Sequence, residues 1–194
     1  MKRLATSLLV MLSVSGAAAT LDDVRAAWTN ARSTYDIGGA EQALAEIGAL
    51  READDSRQAA TLHVRAALLV AELLRIEFEE LPEEDRPARR QLGKRIDAAA
   101  REGLAVLDAM AKGSDHFRLE ADLLGTMIRT DFRANKYLDR MKAATAQALE
   151  LDEGNARAWV TAAKPLVFAG PKQPVPRPPE TSLRHWHQSL IHIS

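Results

Sequence analysis

From position 21 to about position 170 the apolar residues of this chain recur every three to four positions, with hardly a break. That period belongs to helices which bury one face and leave the other in water. Alanine, leucine, arginine and glutamate dominate while aromatic residues make up only 5%, a mixture that favours helices packed on helices. At 194 residues the chain suits one domain with a proper core, and its 46% apolar and 27% charged residues are in the globular range. Twenty-six basic residues stand against 27 acidic ones, for a net charge of −1. That balance argues against a general nucleic-acid binder, which needs a basic surface.

The pattern divides into seven segments. Asp22-Asp23 occupies the first turn of a helix carrying Val24, Ala27, Trp28, Ala31 and Tyr35, where acids suit the positive end of the helix dipole. Gly38-Gly39 is expected to interrupt it before Ala43, Leu44, Ile47 and Leu50 resume the period. Asp54-Asp55-Ser56 then caps a third helix over residues 56–81, whose stretch 66–71 is apolar on all sides. Pro82 ends it, and Glu83-Glu84-Asp85 with Pro87 leads into a fourth helix over 88–111. Lys112-Gly113 reads as its cationic last turn and glycine stop. Ser114-Asp115 opens a fifth helix, the sixth covers 137–151, and the seventh begins near Ala156.

Both ends depart from this regime. Residues 1–19 have a basic start at Lys2-Arg3, an apolar run over 4–14, and small residues up to Ala19. This is the layout of a secretory signal peptide cleaved after Ala19, the alternative being an uncleaved anchor. The run is short for a span of about 20 residues, so no stable membrane insertion is expected after cleavage. The chain has no cysteine, which removes lipid attachment, disulfides and thiol chemistry. A periplasmic or secreted protein held together by packing is the expectation. Five of the eight prolines fall in 171–179, so residues 171–194 read as an irregular Pro-rich tail. No helix-forming continuation follows Gly170 to cover the seventh helix, which points to a truncated or frame-altered end.

The joint between the sixth and seventh helices carries the most specific pattern. Ala148, Leu149 and Leu151 close one helix, Asp152-Glu153-Gly154-Asn155 makes a polar turn, and Ala158-Trp159 opens the next. This resembles the boundary between two tetratricopeptide repeats, with Ala163 in the small position and Gly170 as the turn glycine. Leu124-Gly125 followed by Ile128 is similar to an element of that repeat's first helix. Two departures stand out: Glu153 replaces the usual proline, and Pro165 lies inside the seventh helix, which puts a kink or an early end there. The resemblance covers 119–170, is weak over 21–50 and poor over 56–112, where the helices are too long. It implies an all-α fold of antiparallel helical hairpins, stacked over residues 20–170 as a short right-handed array.

Motifs for catalysis do not emerge. No G-x-S-x-G, H-E-x-x-H or phosphate-cradling glycine loop occurs, so the chain is read as non-enzymatic and no cofactor is expected. His185, His187 and His192 cluster in the tail around Trp186, a composition that binds zinc or copper only with rigid support. His63 and His116 are isolated and read as satisfied histidines. Glu77, Glu79, Glu80, Glu83, Glu84 and Asp85 read as a solvated acidic surface.

The resemblance implies a protein-interaction module or scaffold, since such repeats bind a protein or peptide partner in a groove lined by the first helix of each hairpin. On that alignment Asp122, Thr126, Arg129, Arg157 and Lys164 line the groove. Its arginines and lysine suit an acidic peptide or a C-terminal carboxylate, which guanidinium groups pair as a fork. The alternative is a helical periplasmic small-ligand or transporter-associated binding protein, with a pocket in the apolar interior around residues 66–74.

Overall fold

The computed structural model describes residues 19–53, 56–128 and 134–169, and every regular element among them is an α-helix. The helices are α1 (Leu21–Thr34), α2 (Ile37–Ala53), α3 (Arg57–Glu80), α4 (Arg86–Asp108), α5 (Ser114–Met127), α6 (Ala134–Leu151) and α7 (Ala156–Ala169). Residues 1–18 of the expected leader and the Pro-rich tail over 171–194 lie outside the described residues. Among the described residues no helix is long and apolar enough to cross a membrane.

Local chemistry accounts for most of the boundaries. Thr20 caps α1 through a reciprocal box: its hydroxyl accepts from the Asp23 amide at 3.3 Å, and its own amide donates to the Asp23 carboxylate at 2.9 Å. The Thr20 hydroxyl, which donates to Asp23 Oδ2 at 2.6 Å, and after it the Thr20 amide hold the Asp23 carboxyl below its usual range. Ser56 caps α3 by accepting from the Ala59 amide, and Asp85 caps α4 by accepting from the Ala88 amide. Leu81 leaves α3 in an extended conformation, as the residue before Pro82 must.

Three local expectations are corrected. Gly38-Gly39 does not break the first hairpin; both lie in the first turn of α2. The break is at Tyr35, which takes the left-handed conformation at φ 55°, and Asp36 then accepts from the Ala40 amide to start α2. Gly39 is needed for closeness: a Cβ there would lie 2.7 Å from Asp36 Oδ2 and 3.4 Å from Ala31 Cβ. Gly113 is no left-handed stop, since α4 already ends at Asp108 and Gly113 is the extended N-cap of α5. Of the kink or early end expected at Pro165, the early end does not occur, since α7 runs on to Ala169.

Packing follows a simple order. Consecutive helices pack on each other throughout, and in addition α1 meets α3, α3 meets α5, and α5 meets α7. Among the described residues the backbones of the even-numbered helices come close only to the two odd-numbered helices that flank them in the chain, while Arg101 of α4 reaches across to donate to the Tyr137 hydroxyl of α6 at 3.4 Å. The long α3 is therefore central. Its Ala66, Ala67, Leu69, Val70, Ala71, Leu73 and Leu74 are buried in the main core, with Ile47 of α2, Ile96 and Leu107 of α4, and Leu123 of α5. Residues 66–74 thus belong to the core that joins the first five helices, not to the wall of the cavity described below.

Gly103 sets the tightest approach. It is buried on α4, and a Cβ there would meet both Leu123 methyls at 3.0 Å and Ala67 Cβ at 3.1 Å. Three helices converge at a point where one methyl group would be too much. A smaller second cluster, Ala121, Leu124, Met141 and Ala144, joins α5 to α6.

Candidate functional site

The joint between α6 and α7 is built as a bonded unit. The Asp152 carboxylate accepts from the Gly154 amide at 2.9 Å, and the Asp152 carbonyl accepts from the Asn155 amide at 3.1 Å. Asn155 caps α7 by accepting from the Ala158 amide, while its side-chain amide donates to Ser114 Oγ at 2.8 Å. Ser114 in turn donates to the Ala148 carbonyl at 2.8 Å. One asparagine and one serine so tie together the end of α6 and the starts of α5 and α7. The Trp159 indole donates to the Glu153 carbonyl at 2.9 Å, so this bulky residue also braces the turn.

Five residues were expected to line one groove; of the three whose side chains are among the described residues, two are buried and one is exposed. Asp122 is buried at the α5–α7 contact, where it accepts from Arg118 Nη1 at 3.0 Å and from Thr161 Oγ1 at 2.9 Å. Thr126 is buried too, its hydroxyl donating to the Leu123 carbonyl at 2.7 Å. Neither presents an open surface. Arg157 is exposed on the first turn of α7, and its carbonyl accepts from Thr161 at 3.1 Å. Asp122 and Arg157 are thereby linked through Thr161. Arg129 and the side chain of Lys164 lie outside the described residues.

The residues that sequence reasoning missed are arginines on the other odd-numbered helices. Arg118 on α5 is buried and bonded to Asp122 and, through Nε at 3.2 Å, to the exposed Asp115. Arg65 on α3 is half-buried; its Nε is enclosed and has no acceptor, and it has no carboxylate partner among the described residues. Burial, followed by repulsion from Arg118 and Arg157, holds the Arg65 guanidinium below the usual arginine range. Asp115 acts the other way and Arg32 adds to the repulsion. On α1, Arg32 lies over the Trp28 ring at 5.7 Å, and the buried Trp28 Nε1 also lacks an acceptor. Arg32 of α1, Arg118 of α5 and Arg157 of α7 thus each act on Arg65 of α3. Arg32, Arg65 and Arg118 are far apart in the chain, and only their shared place on odd-numbered helices could have flagged them.

Two other places hold polar groups. His63 on α3 is buried, with Nε2 2.7 Å from Glu102 Oε1 of α4 and Nδ1 enclosed without a partner. His116 is buried edge-on to Phe117 with its Nδ1 likewise unpartnered. Both histidines are therefore incompletely satisfied, contrary to expectation. A cavity of about 300 Å³ opens between α4, α5 and α6, where Arg101, Tyr137 and Arg140 face Leu104, Leu124 and Met127. The acidic residues around Pro82 are exposed, and among the described residues no group of three or more His, Asp or Glu could hold a metal ion.

Compared with protein-family models, curated proteins and solved structures, the chain gives no match.

Proposed function

We propose that this protein is an exported, non-enzymatic protein–protein interaction module, its hairpins stacked as a short tetratricopeptide-like right-handed array. The observation that carries this reading is the packing order: the odd-numbered helices form one row, and each even-numbered helix is wedged behind two of them. In a helical array of that kind the row of first helices forms a continuous face suited to an extended partner. The half-exposed and exposed arginines of that face supply the polar contacts, and the basic-apolar-small layout of residues 1–19 supports export.

The test is photo-crosslinking in cells that export the full chain. A crosslinking residue at Gln58, exposed on α3 two turns before Arg65, should trap a defined protein partner. One at Lys142, exposed on α6, should not. Equal adducts from both positions, or none from Gln58, would overturn the proposal. A second reading, a small-ligand binder, draws on the cavity between α4, α5 and α6. Thermal stabilisation of the full chain by a metabolite extract, abolished by Leu104→Trp, would favour it.

A further inference from the structure

Helices α4 and α6 both pack on α5 while their backbones stay apart, and the cavity of about 300 Å³ lies between the three. Its apolar lining is Leu104 of α4 with the buried Leu124 and Met127 of α5. Polar side chains span it at two places. Arg101 Nη2 of α4 donates to the Tyr137 hydroxyl of α6 at 3.4 Å, and Asp108 of α4 stands 4.0 Å from Arg140 of α6. Both contacts are long. Asp108 lies two helical turns beyond Arg101, about 10 Å along α4. The two places differ in what they still have to offer. Arg140 is already held by Glu120, with Nε and Nη2 both 2.7 Å from the same carboxylate oxygen. Arg101 has no such partner: among the described residues the carboxylate that comes closest, that of Asp97, is 3.9 Å away. The Tyr137 hydroxyl accepts from Arg101 and keeps its own O–H to donate, with no acceptor among the described residues. One end of an apolar cavity thus presents a charged donor and a neutral donor side by side, neither of them in a good hydrogen bond.

We propose that this cavity binds a small amphipathic monocarboxylic acid, its carboxylate received by Arg101 and Tyr137 and its apolar body laid on Leu104, Leu124 and Met127. The proposal rests on the small-ligand reading of the cavity and names its ligand. None of the residues of the expected peptide groove lines it. Donor chemistry decides the head group: a carboxylate accepts short, strong hydrogen bonds from guanidinium and hydroxyl donors, which the 3.4 Å contact between Arg101 and Tyr137 does not supply. An apolar lining with a few convergent polar groups is the usual make-up of a small-molecule site. Volume sets the size. The cavity equals about ten waters of the liquid, so an acid of about ten carbons fills it. The far end sets the charge. A second carboxylate there would meet Asp108, where Arg140 is already committed to Glu120, so a monoacid is preferred to a diacid.

The experiment titrates the full chain calorimetrically with decanoate, below the concentration at which it forms micelles, and should show one site. Decanol and decanedioate should each bind at least tenfold more weakly. Arg101→Met and Tyr137→Phe should each weaken decanoate at least fivefold and leave decanol unchanged, a split that lost packing would not produce. Arg101 is 62% exposed, so Arg101→Met should melt as the parent does without ligand. Arg25→Gln, a change at an exposed arginine paired with Asp22, should bind decanoate as the parent does. Equal binding of decanol and decanoate, several equivalent sites, or decanoate binding untouched by both Arg101→Met and Tyr137→Phe overturns the inference. Failure of decanoate to bind, alongside stabilisation by a metabolite extract that Leu104→Trp abolishes, rejects the monocarboxylate and leaves the small-ligand reading standing. Failure of both rejects the cavity as a site.

Discussion

Replacing Asp122 by alanine strikes a place where a buried charge pair and a hydrogen bond between helices meet. Asp122 accepts from Arg118 Nη1 at 3.0 Å, and the two side chains are only 8% and 5% exposed. Its other oxygen accepts from Thr161 of α7 at 2.9 Å. Removing one partner of a buried ion pair typically costs about 3–5 kcal/mol, because the other charge is left without compensation. Two features lower that figure here. Asp115 stays 3.2 Å from Arg118, though it is 69% exposed and screened by water, and Thr161 keeps the Arg157 carbonyl. The expected cost is about 2–3 kcal/mol, and a domain of this size should melt about 4–12 °C lower. Urea unfolding followed by circular dichroism gives the number, and a double-mutant cycle with Arg118→Ala gives the cause. In the Arg118→Ala background the same change should cost less than about 1 kcal/mol. A loss below about 1 kcal/mol in the parent, or an equal loss in both backgrounds, would refute the reasoning.

Three further outcomes follow from the packing and the titrating groups. Gly103→Ala should destabilise by about 1 kcal/mol despite alanine's better helix propensity, because the new methyl meets Leu123 and Ala67 at 3.0–3.1 Å; Leu123→Ala should recover part of the loss, and a stabilised single variant would contradict the close approach. Tyr35→Gly should raise stability by about 0.5–1 kcal/mol, since Tyr35 sits at φ 55° and is 71% exposed; a lower urea midpoint would count against this. Burial depresses the His116 pKa from its ordinary 6.5, with Lys112 acting in the same direction and Glu120 and Asp108 opposing. Its contribution is therefore present above pH 6.5 and lost as pH falls through the lower folded value, so the parent should lose more stability between pH 7 and 5 than His116→Gln.

The helices themselves were legible along the chain. Ser56, Asp85 and Pro82 act through bonds or clashes within a few residues, so the ends of α3 and the start of α4 fall where those residues stand. One misreading arose where a glycine serves spacing instead of a turn. Gly39 lies inside α2 because Ala31 and Asp36 crowd it, a contact between two helices that no local pattern encodes. The candidate site was less visible. Asp122 and Thr126 share a face of α5 with Arg118, but whether that face opens to water depends on α7, whose Thr161 closes over Asp122. Arg65 gives no local signal at all, being one arginine among many charged residues on helices.

What the sequence determined by itself is the set of elements: seven helical segments, their caps, and the apolar faces that must be buried. These depend on interactions within about one helical turn, which the order of residues states directly. The tertiary structure alone decided the neighbours, placing α1, α3, α5 and α7 in a row. That choice depends on how faces of similar hydrophobicity fit, at contacts as tight as Gly103 against Leu123. It also decided the chemistry, because it buried Asp122, left Arg157 in water, and brought Arg65 within electrostatic reach of three arginines distant from it in the chain.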